Sequence, residues 1–210
     1  MNRREFTTKT IAGVAGAGLG AAGRSDADEI QGAASRTQRT YGRTGLSVST
    51  LAFGPHLPDI PNVASRALDS GINMIDTGRM YQNGRNEEMV GRVIQDIRDR
   101  VVIQTKFPNE LKNDPGEIEA SIDASLRALR TDYIDIILLH SVKSQDELNS
   151  PGFREAMERA KESGKIRFCG FSSHQSDAHR ILRHAVSLGW LDAALVPYNH
   201  AGKFDHTIYR

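Results

Sequence analysis

Short apolar runs that each stop at a polar residue recur along the chain at a nearly constant interval. Asn73-Met74-Ile75 leads to Asp76, VVIQT to Lys106, IDIILL to His140, IRFCGF to Ser172 and Ser173, and LDAALVPY to Asn199. The steps from Asp76 to Lys106, His140, Ser172 and Asn199 are 30, 34, 32 and 27 residues, the length of one strand plus a crossover helix. Between the runs the apolar period becomes helical. Met89, Val90, Val93, Ile94 and Ile97 predict a helix over 87–97, and Ile118, Ile122, Leu126 and Leu129 predict one over 114–130. The second opens on Asp114-Pro115-Gly116-Glu117, a helix-start signal. Further helices are predicted over 151–163 and 176–188, closed by Gly164 and Gly189, and from Asn62 as cap through Val63, Ala64, Ala67 and Leu68 to Gly71. YIDIILLH is almost uninterrupted apolar, as a parallel strand covered on both faces should be. TYGRTGLSVSTLAFG (40–54) alternates around a Gly-Arg-Thr-Gly turn and reads as a hairpin feeding a first strand.

Strand and helix in regular alternation predict an α/β fold of the TIM-type (β/α)8 barrel class. A doubly wound sheet would carry a glycine-rich turn after its first strand, and Phe53-Gly54-Pro55-His56 is not one. Six βα units, preceded by an N-terminal β-hairpin, fill residues 39–210, so the expectation is an incomplete barrel, truncated after its sixth unit, with two open sheet edges. Polar residues that end neighbouring parallel strands share one rim.

Composition narrows the partners. The formal net charge is +1, with 39% hydrophobic and 25% charged residues; nothing electrostatic favours nucleic acid or an acidic membrane surface. Cys169 is the single cysteine, which excludes an intramolecular disulfide and a cluster held only by this chain's thiolates. Within an apolar strand it reads as a buried structural thiol. The amino terminus differs in kind: Arg3 and Arg4, then Phe6 and Lys9, precede IAGVAGAGLGAAG, too short and glycine-rich for a transmembrane span. This pattern predicts a twin-arginine export signal over 1–27, with Ser25-Asp26-Ala27 or Ala21-Ala22-Gly23 as cleavage site and 28–38 as linker. The implied partner is the twin-arginine export machinery, and the implied location periplasmic or secreted; integral membrane insertion is not expected.

The strand ends carry the chemistry. Asp76, Lys106 and His140 end the second, third and fourth strands, about 4.8 Å apart in a parallel sheet, and Tyr81 can fold back from the loop five residues past Asp76. A tyrosine is a poor acid near neutrality, but an ammonium beside it stabilises the phenolate, and a carboxylate fixes the ammonium. Such a group can protonate a carbonyl oxygen while hydride reaches the carbon, with His140 orienting that oxygen. Singly, Asp76 reads as a turn cap, Lys106 as a solvated lysine and His140 as a core histidine; Tyr133 and Tyr198 read as packing residues and the charges of 92–100 as a solvated helix face. A second class of reading places zinc on His140, His174 and His200, with His56 nearby and Asp76 as carboxylate, for hydrolysis; it leaves Tyr81 and Lys106 without roles.

YGRTGLSVSTLAFG, GINMIDTGRMY followed by NEEMVGRVI, VVIQTKF, SLRALRTDYIDIILLH, SGKIRFCGFSSH and the YN at 198–199 together resemble the aldo/keto reductase family, in family order. The resemblance implies Asp76, Tyr81, Lys106 and His140 as a catalytic tetrad, NADPH (or NADH) as cofactor and a small-molecule carbonyl as substrate. It sets Ser172 and Ser173 at the family's Ser-Asn pair that holds the nicotinamide carboxamide, with Asn199 as a further cofactor contact. The Tyr81-Gln82-Asn83-Gly84 loop, with the export signal, is similar to a bacterial branch of the family. Gly78 stands where the family usually has alanine, Ser173 replaces asparagine, and Leu195 falls where a glutamine meets the carboxamide. The family's ring-stacking aromatic and its pyrophosphate and adenosine contacts come from the seventh and eighth units. The chain is therefore expected to keep the proton-transfer half of the site and lack much of the cofactor grip. The alternative is an inactive cofactor- or partner-binding remnant, as in relatives that serve as cofactor-sensing channel subunits.

Overall fold

The computed structural model describes residues 38–56 and 60–198. The residues predicted as export signal, nearly all of those predicted as linker, and Asn199 and His200 lie outside the described residues. Two short strands, β1 (Gln38–Thr40) and β2 (Ser47–Ser49), pair antiparallel as the predicted hairpin. Five parallel strands follow in the spatial order of the chain: β3 (Met74–Asp76), β4 (Val102–Phe107), β5 (Ile134–Leu139), β6 (Ile166–Ser172) and β7 (Ala193–Leu195). Helices α1 (Pro61–Asp69), α2 (Arg85–Ile94), α3 (Pro115–Leu129), α4 (Pro151–Glu162) and α5 (Ala178–Leu188) make the crossovers. The result, among the described residues, is an incomplete parallel barrel behind a hairpin, with five parallel strands where six were expected.

The missing strand is the first. It is reduced to one parallel bridge, Phe53 to Ile75, held by Phe53 N–H to the Met74 carbonyl and Asp76 N–H to the Phe53 carbonyl, both 2.9 Å. Gly54 and Pro55 follow at once, and proline has no N–H to continue a ladder. The same chemistry shortens β7 to three residues, against the predicted 191–199, with Pro197 just beyond it. Asn62 is not a cap: Pro61 opens α1 after Ile60, and no side chain caps it. α2 begins earlier and ends earlier than the periodicity predicted, because the chain tightens into a 3-10 turn at Arg98–Arg100. Asp114 caps α3 as expected, its carboxylate accepting from Glu117 N–H at 3.0 Å.

Strand alternation sorts the core into two clusters. Ile75, Ile103, Ile137, Leu139, Cys169 and Phe171 face the helices. Met74, Val102, Ile136, Leu138 and Ala193 form a separate cluster with Val48, Tyr41 and Leu46 of the hairpin. Met74 and Val102 are first in their strands, so the hairpin covers the amino end of the barrel interior and leaves the carboxyl end to polar residues. Cys169 is fully buried, and burial pushes its thiol up to about 12, so it is inert as a nucleophile.

One charge of the 92–100 run is not on a solvated face. The Arg98 guanidinium bonds Asp135 at 2.8 Å and stacks 3.9 Å from the Tyr133 ring centroid. Arg167 stacks at 4.2 Å and bonds the other Asp135 oxygen at 2.9 Å. Asp135 is buried, so this ion pair ties β4, β5 and β6 together below the rim.

Candidate active site

Register explains why residues 30 or so apart meet. Asp76 pairs with Gln104, Lys106 with Leu138, and Leu138 with Gly170. Lys106 lies two residues beyond the partner of Asp76 and His140 two beyond the partner of Lys106, while Ser172 is level with His140, one residue past the Leu139–Phe171 pair. With period-2 alternation they share Asp76's face, and from Asp76 to Lys106 to His140 the site steps up one interior position per strand, the stagger a closing barrel requires.

Lys106 is the centre. Its side chain is 1% exposed, so it is no solvated surface lysine. Its ammonium donates to both Asp76 carboxylate oxygens at 2.8 Å and to the Thr77 carbonyl at 2.6 Å. Those three bonds use its three N–H donors. Toward Tyr81 it therefore presents charge alone, 4.9 Å from the ring centroid. A second donor holds Asp76, Gln104 Nε2 at 2.7 Å. Tyr81 stands edge-on between two histidines, His140 with ring centroids 5.8 Å apart and His56 at 4.6 Å. A Cβ built on Gly78 would lie 3.3 Å from Tyr81 Cζ, so the glycine lets the phenol settle against the backbone. Burial, then the neighbouring Lys106 and His174 charges, hold His140 below the usual histidine range against a weaker pull from Asp76 and Glu110. It is a neutral imidazole at pH 7, with one N–H to donate.

Ser172 and Ser173 are both buried at the carboxyl end of β6. Ser172 Oγ accepts from Ser141 N–H at 2.9 Å and donates to the Leu139 carbonyl at 3.5 Å. Ser173 Oγ donates to the Val142 carbonyl at 2.8 Å and accepts from Gln175 N–H at 3.3 Å. Each hydroxyl oxygen has two acceptor positions, so one lone pair remains on each. Two adjacent acceptors fit the –NH₂ of a nicotinamide carboxamide. Among the described residues no group of three or more His, Cys, Asp or Glu side chains could hold a metal ion; His200, one member of the zinc reading, lies outside them.

Sequence reasoning missed the layer that fixes this site. Thr77 Oγ1 donates to Asn86 Oδ1 at 2.7 Å, while Asn86 Nδ2 bonds the Pro55 carbonyl. Glu87 accepts from Thr105 Oγ1 at 2.7 Å and from Arg79 at 2.6 Å, and Arg79 N–H bonds the Lys106 carbonyl at 2.9 Å. Burial pushes the Glu87 carboxyl above the usual range, opposed by Thr105 and Arg79. A signal existed: Asn86 and Glu87 fall in phase with Met89, Val90 and Ile94, polar side chains on the buried stripe of their helix. Gln82, Asn83 and Gly84, directly after Tyr81, hold left-handed φ values of 53, 56 and 88, so the loop turns back under strain that this layer must offset.

The family model described as the aldo/keto reductase family matches residues 59–198. The chain belongs to the aldo/keto reductase family. Among curated proteins, this aldo/keto reductase chain is 33% identical over 150 residues to the uncharacterized oxidoreductase YqkF of Bacillus subtilis, covering 65% of this chain and 48% of that protein. It is 29% identical over 188 residues to the L-galactose dehydrogenase of Arabidopsis thaliana, covering 81% and 58%. The chain spans about half the length of the curated relatives it matches. Among solved structures it resembles the holo form of aldo-keto reductase AKR11C1 from Bacillus halodurans, with TM-score 0.64 and 30% identity over 77% of this chain and 57% of that one. It also resembles an aldo/keto reductase from Klebsiella pneumoniae in complex with NADP and acetate, with TM-score 0.66 and 27% identity over 82% and 63%. No helix among the described residues is long and apolar enough to cross a membrane.

Proposed function

We propose that this aldo/keto reductase chain carries the proton-transfer machinery for reducing an aldehyde or ketone to an alcohol. The observation that carries this reading is the buried Lys106 ammonium, fixed by Asp76 and Thr77 and held 4.9 Å from the Tyr81 ring. Tyr81 is the acid: its hydroxyl donates to the carbonyl oxygen, and Lys106 stabilises the negative charge left on the phenol. Asp76 and Gln104 keep Lys106 from relaxing away. Neutral His140 directs one N–H to the same oxygen, so it positions the carbonyl without competing as an acid. Ser172 and Ser173 would hold the carboxamide of NADPH, with NADH as the alternative donor and Asn199 as a further contact. When bound, the nicotinamide supplies the hydride.

Export through the twin-arginine machinery to the periplasm or beyond is part of the same proposal, supported by Arg3, Arg4 and the short apolar stretch after them. That route carries folded proteins, so a nicotinamide cofactor could be loaded before export. Fusing residues 1–27 to a reporter tests it: export should be lost on replacing Arg3→Lys with Arg4→Lys.

The catalytic reading is tested by mixing the purified chain with NADPH and a nitrobenzaldehyde. Turnover that Tyr81→Phe lowers by roughly 10²–10⁴-fold, the usual weight of a general acid, is the expected result. No turnover, with NADPH still bound, would assign the chain to cofactor or partner binding instead.

A further inference from the structure

On the outer side of the helix layer, away from the barrel interior, lies a cleft of about 400 Å³ between α2 and α3. Four arginines line it from separate places: Arg79 from the loop after β3, Arg92 from α2, Arg127 from the last turn of α3, and Arg130 just past its end. The one acidic side chain lining it is Glu88. Ala124 and Ala128 leave the room. Gly91 brings the two helices together beneath it, since a Cβ there would stand 2.5 Å from the Ala128 carbonyl oxygen.

A solvated helix face does not account for this. The whole chain has a formal net charge of only +1, yet four guanidinium groups and the Glu88 carboxylate line this cleft, with the Glu87 carboxylate behind Arg79. Basic residues in a last helical turn complement the helix dipole, which accounts for Arg92 on α2 and Arg127 on α3 taken singly but not for their lining one cleft together with Arg79 and Arg130. Arg130 holds a left-handed φ of 54, a helix-end conformation that favours glycine, so an arginine stands there against the backbone's preference. Arg79 and Arg130 are anchored, by Glu87 at 2.6 Å and by Gln95 Oε1 at 3.1 Å. Anchoring lowers the entropy lost when a ligand binds. Guanidinium forks match the oxygens of phosphate in bidentate geometry, and the volume is in the range of small-molecule sites.

We propose that the α2–α3 cleft is a binding site for a small phosphate-bearing molecule. It shares Arg79 with the layer behind the candidate active site but takes no part in the carbonyl chemistry, and it stands whether or not the chain reduces carbonyls. Recognition rests on charge-assisted bonds from the four arginines, and Glu88 opposes it.

Isothermal titration of the full chain with inorganic pyrophosphate, in ~0.1 M salt where exposed charges more than about 10 Å apart are largely screened, tests the proposal. Saturable binding is expected at one site per chain. Replacing Arg127→Gln together with Arg130→Gln should weaken it at least about tenfold, since each loses a charge-assisted phosphate contact. Arg154→Gln, on the exposed face of α4, should leave it unchanged. Glu88→Gln should tighten binding, a gain that a misfolded variant cannot imitate. Citrate should compete poorly, because its oxygens do not share the phosphate geometry. The proposal is overturned by no saturable binding at millimolar pyrophosphate, by equal affinity in the double variant, or by citrate binding as tightly.

Discussion

Replacing Lys106→Met removes the ammonium and keeps most of the side chain's length and volume. A unit charge 4.9 Å from the Tyr81 ring interacts with a full phenolate by about 3 kcal/mol at an effective dielectric near 20. With proton transfer about half complete in the transition state, roughly 1.5 kcal/mol of stabilisation is lost, a rate factor of about ten. A second loss follows because Asp76 no longer has its partner and keeps only Gln104. The side chain of Asp76 is 20% exposed and can draw in water, which would disturb the dry setting of the phenol. The expected fall in kcat/KM is therefore about ten- to a hundredfold, less than for Tyr81→Phe. The assay follows consumption of NADPH with a nitrobenzaldehyde, beside urea unfolding to confirm that the variant is folded. A folded Lys106→Met chain within about twofold of the wild-type rate, while Tyr81→Phe is inactive, would refute the role of the charge. It would leave the phenol working without the ammonium.

Other outcomes follow from the buried polar groups. Asp135→Asn leaves Arg98 facing an uncharged partner in a site where the carboxylate also accepts from Ile103 N–H at 3.0 Å; unfolding should become easier by about 3 kcal/mol, lowering the melting temperature by roughly 6–12 °C. Glu87, held above its ordinary value by burial, binds its proton more tightly folded than unfolded. Its contribution is thus fully present below the ordinary glutamate value and is lost as pH rises through the raised folded value; Glu87→Gln should remove that part of the pH slope in urea unfolding. Cys169, buried and pushed up to about 12, should resist a thiol reagent in the native chain and react at once in denaturant. Rapid native labelling would place the thiol at the surface instead.

How much was legible beforehand depended on how local the cause was. The interval between Asp76, Lys106, His140 and Ser172 is written in the chain, because each βα unit has a nearly fixed length and each apolar run ends where its strand leaves the core. The cap at Asp114 and the stops at Gly164 and Gly189 are decided within a few residues, and the structure has φ 73 and 75 at those glycines. The first barrel strand was not legible, since TLAF has the pattern of a strand and fails to extend only because Gly54 and Pro55 break the ladder beyond one bridge. Asn62 is no cap for a similar reason: Pro61 starts the helix two residues sooner than a cap at Asn62 would.

Sequence alone therefore determined the alternation of elements, the rim they share and the residue types on it. Tertiary structure decided what those residues do to one another. Register sets Lys106 one interior step above Asp76 and His140 one above Lys106, which puts three acceptors around the Lys106 ammonium and so turns it toward Tyr81 as a charge and not as a hydrogen-bond donor. Contacts between residues far apart in the chain also gathered Arg79, Arg92, Arg127 and Arg130 into one cleft. No local pattern encodes either result, because hydrogen-bond geometry and charge density depend on distances that only the packed fold fixes.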